Sequence, residues 1–599
     1  MAALFTTPKR NDKTSGAHFV EPDVRRRTLL AHGSWRRVTR RIVAGAVCAL
    51  TVSSLLMPSV SLAAERVNVG DTWYEAGAAV GDEAGTWAWD GADDMKLNGY
   101  NGGAIQAAGK LNIAYEGKNT VKTEPDYTGA AIKAQDGTNQ KAELNITSSK
   151  SSDELNVTAE ADAIKSTGDL SISGPGAVNT TSTTSDGIEA KGDLSITGSG
   201  TVNATGGTEG IQSKGKTTID SSGTVIAKGG EGYGVAAGSD LIIKGGGKVE
   251  ASSIEEAAIW ADGNIDILGG SQVKANSEED LAVDTEGSLA VTNASLDASG
   301  VEYGVYAYKG VTLDHATVTV RTSASGGQAI ALITDGDDIV IKNGSTVDAF
   351  AEGEVSAAFS TRNDRPNEKG GHIYISDSVV KAIARYVENG DGPIPYSENQ
   401  DGETRREPQG ENIGIIAQTS EGVTPAVISI IRSKVTAEGD TAAIFARAMS
   451  ADGKTIGTIK IENAAIQTPE GGKVIDYRKL RDGIYEAGQA IGTGDATVDS
   501  LYIKAVAKST TIAPPEVAKP EDPKPDETKP AESKPAESKQ NPKPEGSKPT
   551  KAVAASTTKA KTTGVLAATG DTSGAAIVAT VLAGTAAIAA GTMASRKRS

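Results

Sequence analysis

Along the middle of the chain, apolar residues alternate with polar ones in short runs, and each run is closed by Gly, Asp, Asn or a Lys-Gly pair. Residues 186–207 read DGIEAKGDLSITGSGTVNATGG, 209–230 read EGIQSKGKTTIDSSGTVIAKGG, and 233–253 read YGVAAGSDLIIKGGGKVEASS. Alternation with a period of two predicts strands with one buried face. One inward position can be followed through Ile105, Ile132, Ile164, Ile188, Ile211, Val235, Ile259, Val283, Val305, Ile330, Phe359, Ile415 and Ile444. Its central spacing is 22 to 25 residues, and self-similarity at such a period signals a solenoid.

Three strands per turn, β-branched inward residues and a Gly-rich turn predict an all-β chain, a parallel β-helix. The repeat varies in length, unlike a left-handed hexapeptide helix, and has neither the Leu/Asn consensus nor the helical half of a leucine-rich repeat. The right hand follows by analogy with β-helices of irregular coil length; the sequence alone does not fix it. About a dozen turns at ~4.8 Å would make a rod on the order of 60 Å long. Solenoid ends expose strand edges and need covers. The N-terminal cap is expected over 64–97, with Trp73, Trp87 and Trp89. The β-helix is expected over 98–506, closed by the less regular stretch 468–506.

Both ends carry address signals. Seven arginines from Arg25 to Arg41 precede an apolar run, Ile42 to Met57, and then the small-residue site Ser61-Leu62-Ala63. That order is a secretory signal over 1–63, cut between Ala63 and Ala64. The run is shorter than the roughly 20 residues a spanning helix needs. Cys48 follows the bulky Val47 and so is not a lipoprotein anchor. At the other end Leu566-Ala567-Ala568-Thr569-Gly570 precedes an apolar stretch from Gly574 to Ala594 and then Arg596-Lys597-Arg598. About 21 helical residues can cross roughly 30 Å of hydrocarbon. Basic residues stay on the cytoplasmic side. A linker is expected over 507–565, and its roughly 40 residues from Ala513 to Pro549 repeat strings such as KPEDPKPDETKPAESKPAES. Pro and alternating charge prevent a packed core there, giving a disordered, extended spacer of on the order of 120 Å.

Charge narrows the partners. Residues 64–569 hold 47 basic and 73 acidic side chains, a net of −26. Nucleic acid needs a basic face and is excluded as a partner. The one cysteine lies in the signal, so the exported chain has no disulfide. With 70 glycines and only 4% aromatics, the composition suits many short strands and tight turns rather than a helical enzyme.

The C-terminal segment 566–599 resembles a sortase sorting signal of the LPxTG type, in its LAxTG variant because Ala567 stands where Pro is common. The resemblance implies cleavage between Thr569 and Gly570, with transient membrane anchoring by a transmembrane helix, then covalent attachment to peptidoglycan. Trp89-Asp90, KLNGYNGGAIQAAGKLNI over 96–113, and the repeated GI-x-A-x-GDL-x-I are similar to the β-helical carbohydrate-binding-domain proteins of Gram-positive surfaces. That likeness covers 87–343 well and continues loosely to Val506. It implies glycan binding, sometimes with calcium held by a ladder of DGI turns. Here only Asp186 keeps that form, beside Glu209, while Tyr233, Ala257 and Ala282 stand near the later turns. No regular calcium ladder is evident, and no metal or other cofactor is assigned.

The residue after the inward Ile or Val should point outward. Turn by turn these are Glu189, Gln212, Ala236, Trp260, Asp284 and Tyr306. Trp260 and Tyr306 would lie roughly 9.6 Å apart, with Asp284 between them and Tyr308 adding a ring. Flat rings suit the apolar faces of sugars, and the same rings would also suit packing beneath a loop. A second candidate is the insertion after Val380, with Arg385, Tyr386, Tyr396, Arg405 and Arg406, whose charges equally suit a solvated loop. Asp335, Asp337, Asp338 and His372 superficially offer paired carboxylates for hydrolysis. Asp338 and His372, however, fall at the turn where Asp169, Asp193, Asp240 and Asn264 stand in earlier units. A turn preference for Asp and Asn explains them without catalysis. The readings are therefore a glycan-binding adhesin, a structural or host-protein-binding stalk, and a polysaccharide-processing enzyme.

Overall fold

The computed structural model describes residues 63–515, with breaks at 136–140, 364–369, 388–396, 399–403, 406–410, 421, 452, 482–483, 495–496 and 499–505. The segments expected as a secretory leader up to Leu62, as a linker from 516 and as a sorting signal over 566–599 lie outside the described residues. Within them the chain is all-β, with no helix, and is organised as long, mostly parallel sheets compatible with a β-helix.

Each repeat contributes three strands that pair with the matching strands one repeat earlier and later. The unit at 186–207 supplies Ile188–Ala190, Leu194–Gly198 and Thr201–Thr205. These pair in parallel with Ile211–Ser213, Thr217–Ser221 and Thr224–Lys228. Ile105, Ile132, Ile164, Ile188, Ile211, Val235, Ile259, Val283 and Val305 align in register along the first strand. All nine are buried. A row of β-branched side chains suits this packing because their stiff rotamers fit the pleat, and each contributes about 1.5–3 kcal/mol through burial.

The repeat changes form after Asp314. The third strand of one repeat and the first strand of the next fuse into single strands, Thr317–Asp335 and Thr346–Asn363. The register shifts between Ala324 and Gln328, and Ala331 and Leu332 both join the interior. Val305 therefore pairs with Leu332, while Ile330 pairs with Tyr303 and packs outside the core. The inward residue of this repeat is Leu332, not Ile330: the register shift before the strand's second half adds residues to the repeat, so a spacing carried over from the regular repeats stops short of the site.

Both ends are closed by antiparallel strands. Arg66–Val69 pairs with Thr72–Glu75 and with Ile105–Ala108. Trp87–Trp89 pairs with Asp94–Asn98, which continues the second-strand sheet. Trp87 and Trp89 are buried, whereas Trp73 stays at the surface beneath the Arg66 guanidinium. At the far end Ser509–Ala513 pairs antiparallel with Lys434–Gly439 and with Ala465–Thr468. Packed structure thus runs past the expected boundary at Val506. The reason is local: STTIA alternates, and Ile512 is fully buried.

Candidate functional site

The outward position of the first strand runs in register through Lys133, Lys165, Glu189, Gln212, Ala236, Trp260, Asp284 and Tyr306. Trp260, Asp284 and Tyr306 therefore stand on three consecutive strands of one face. Trp260 and Tyr306 are half-exposed. Tyr233, from the turn before the preceding first strand, stacks on Trp260 with centroids 5.3 Å apart and planes 19° from parallel. It covers one face of the indole. Tyr303 meets Tyr306 at 5.8 Å, tilted by 57°. Tyr308 is half-exposed at the end of this face.

Asp284 is 7% exposed, so its carboxylate is covered rather than presented to solvent beside the rings. A short side chain between two large aromatic ones is buried by its neighbours, which single-residue periodicity does not reveal. The polar group at the surface is supplied further along. The Tyr306 hydroxyl donates to Asp335 Oδ2 at 3.1 Å, and Arg362 Nε and Nη2 donate to the same carboxylate at 2.9 and 3.1 Å. Burial first, and then the Asp335 carboxylate, push the Tyr306 hydroxyl well above the usual phenol range. The hydrogen bond to Asp335 likewise holds the Arg362 guanidinium in its charged form. Tyr306 is thus held by a bidentate ion pair. Tyr303 and Tyr306 also pack on a second apolar cluster outside the interior, which includes Ile330, Ile333, Ile416, Phe445 and Tyr477. Reading the sequence missed Tyr233, Tyr303 and Arg362 as members of this face; clustering of tyrosines in an aromatic-poor chain was the available signal.

Three buried carboxylates lie N-terminal to the rings. Asp162, Asp186 and Glu189 bring oxygens within 4.8 Å of one another. Lys165 Nζ lies 2.7 Å from Asp162 and also pairs with Glu189, which Lys191 joins. Glu189 was expected to face solvent and is instead 3% exposed, because the two lysine stems fold over it. Against the cost of burial, hydrogen bonds from Lys165 and Ser185 hold the Asp162 carboxyl below its usual range. Burial, and then the adjacent Glu209, push the Asp186 carboxyl up to about 8. Two ammonium groups face Asp162 and Glu189, while burial favours the neutral form of Asp186. The calcium implied by the resemblance does not fit here, because Lys165 already supplies the cation among these oxygens. The other acidic group, Asp90, Asp93 and Asp94, is a turn: Asp90 Oδ1 accepts the Ala92 and Asp94 amides at 2.9 and 3.1 Å.

The aspartates before the second strand cap backbone. Asp169 Oδ1 accepts the Asp193 amide at 2.9 Å, Asp193 Oδ1 accepts that of Lys216 at 2.8 Å, and Asp240 Oδ1 accepts that of Asn264 at 2.8 Å. Asn264 Oδ1 accepts the Ser288 amide at 3.0 Å. The same ladder holds the residues that suggested hydrolysis. Asp338 Oδ1 accepts the His372 amide at 2.9 Å, and His372 Nδ1 accepts the Val427 amide at 3.1 Å. Asp337 Oδ1 accepts the Asp338 amide at 3.0 Å, and Asp335 is held by Arg362. Each of these groups has a structural partner.

Of the insertion candidates, Arg385 and Tyr386 end the strand Val379–Tyr386 rather than lying in a loop. Arg385 Nη2 donates to Glu438 Oε2 at 2.6 Å. Arg405 belongs to a short antiparallel pairing of Thr404–Arg405 with Ser397–Glu398. Tyr396 and Arg406 lie outside the described residues, as do Leu566, Ala567, Ala568, Thr569 and Gly570. Ala63, on one side of the expected leader cut, forms an isolated bridge with Lys110, and Ala64 on the other side is buried.

The class defined by these observations is an all-β protein of stacked three-strand repeats with an aromatic patch on one outer face. Comparison with protein-family models, with curated proteins and with solved structures found no match.

Proposed function

We propose that the chain is an exported Gram-positive surface protein whose stacked repeats form a right-handed parallel β-helix, displayed beyond the wall as a glycan-binding adhesin. Sortase joins Thr569 to peptidoglycan, and the Pro-rich segment spaces the folded part from the wall. The leader and the LAATG segment with its apolar stretch and basic end support export and anchoring.

The single observation that supports glycan binding is the aromatic patch. In a chain with 4% aromatics, Tyr233, Trp260, Tyr303, Tyr306 and Tyr308 fall close together in sequence, with Trp260 and Tyr306 in register on one face. Trp260 backed by Tyr233 and Tyr306 held by the Asp335–Arg362 pair provide flat apolar surface already fixed in place, which limits the entropy lost on binding a sugar.

The test is a broad glycan array probed with the full chain, with and without calcium. Binding that disappears in Trp260→Ala plus Tyr306→Ala supports the reading. Binding unchanged by that pair refutes the patch as the site. Silence from a folded sample favours a structural or protein-binding stalk. Mass spectrometry of muramidase-released wall fragments tests the anchor, which requires Thr569 linked to a peptidoglycan amine.

A further inference from the structure

A different face carries a groove that the aromatic reading does not use. The outward residues of the second strands place Asn145, Ser171, Ser195 and Thr218 in register on four consecutive repeats. With the turn residues beside them they line an open groove of about 390 Å³. The row is rigid, because each strand is hydrogen-bonded on both sides. Asn145 Nδ2 donates to Asn112 Oδ1 at 2.8 Å. The hydroxyls of Ser171, Ser195 and Thr218 are half-buried and have no partner among the described residues.

The groove's rim decides the charge of its ligand. Asp169 and Asp193 each commit Oδ1 to the next repeat's amide and leave the second oxygen at the rim. Glu143 is paired with Lys110 at 3.3 Å, and Lys216 is the rim's cation. Carboxylates outnumber ammonium groups, so uronates, sulfates and phosphates are repelled. Hydroxyls that both donate and accept, spaced by the strand separation of roughly 4.8 Å, match a chain of hydroxyl groups running across the strands.

We propose that this groove is a second saccharide site, for an uncharged oligosaccharide bound through its hydroxyls across four repeats. It is independent of the aromatic patch, so either site can fail without the other. Recognition rests on several neutral hydrogen bonds, each worth about 1 kcal/mol, so binding is modest and grows with chain length until the four repeats are filled.

The experiment is calorimetry on the full chain with neutral hexasaccharides of glucose, mannose, galactose and N-acetylglucosamine, and with oligogalacturonate as the anionic comparator. The expected result is binding of at least one neutral chain and none of the anionic one. Ser171→Ala, Ser195→Ala and Thr218→Val together remove the hydroxyls but keep shape and strand preference. They should weaken that binding by at least tenfold with an unchanged melting temperature. Trp260→Ala with Tyr306→Ala should leave it in place. Hydrogen exchange should slow in 144–148, 170–173, 194–198 and 217–221 on adding sugar. The proposal is overturned if no neutral chain binds, if the triple variant binds as before, or if binding follows Trp260 and Tyr306 alone.

Discussion

Replacing Gly215 by Ala tests why Gly precedes the turn residue in so many repeats. A Cβ on Gly215 would fall inside van der Waals contact with Asp193 Oδ1, while the nearest backbone atoms, Gly192 C and O, lie at 3.0 Å. That carboxylate oxygen caps the Lys216 amide at 2.8 Å. The methyl group and the cap therefore compete for one space. Gly192, Gly263 and Gly287 stand in the same relation to Asp169, Asp240 and Asn264. Losing the cap alone, by Asp193→Ala, should cost about 1 kcal/mol. Gly215→Ala should cost about 1–3 kcal/mol, since it expels the cap and crowds the turn. In the double variant the carboxylate has gone and the methyl group takes its place, so the double should cost less than the sum by about 1 kcal/mol. Native-state hydrogen exchange over 190–222 measures the local opening free energy of each variant. Additivity to within about 0.5 kcal/mol would refute the competition, and with it the account of the GD and GN pairs.

Three further outcomes are expected. Asp186 holds a proton in the fold, with its pKa raised from 3.8 to about 8, so its contribution to stability is whole below 3.8, declines as pH rises and is gone above about 8; Asp186→Asn should flatten that decline and raise the melting temperature most at pH 8, and an unchanged pH profile would contradict it. Asn156, Asn179 and Asn203 form a ladder with Nδ2-to-Oδ1 distances of 2.9 and 2.7 Å, and its last acceptor, Asn203 Oδ1, is buried without a partner; Ile226→Asn, on the adjacent strand, should satisfy it and stabilise by about 1 kcal/mol, visible as a higher urea midpoint, whereas a lower one would count against the ladder. Ile512→Ala should cost about 2–5 kcal/mol and deprotect Lys434–Gly439 in hydrogen exchange, while unaltered protection there would show that Ser509–Ala513 is not part of the closure.

Much of the fold was legible in the sequence because a parallel stack reuses the same environment at every turn. The inward stack from Ile105 to Val305, the second-strand Leu/Ile rows and the GD turns each repeat the same chemistry, so one-dimensional self-similarity reports three-dimensional neighbours. The register of Trp260, Asp284 and Tyr306 followed from that regularity alone. Where the regularity breaks, the sequence misled: Ile330 was taken for the core residue because repeat spacing cannot foresee the register shift between Ala324 and Gln328.

What the tertiary structure decided concerns groups whose environment is made by other repeats. Asp284 and Glu189 occupy outward positions, yet neighbouring side chains cover them. Asp335 looked like a catalytic carboxylate until Arg362 and Tyr306, 27 and 29 residues away, were seen to hold it. Trp73 was expected to cover the first turn and instead remains at the surface, and Ser509–Ala513 was expected in the linker and instead closes the stack. Strand period and turn chemistry are local properties that each segment carries with it. Burial, charge pairing and the sealing of an exposed edge depend on which distant residues arrive alongside, and only folding brings them there.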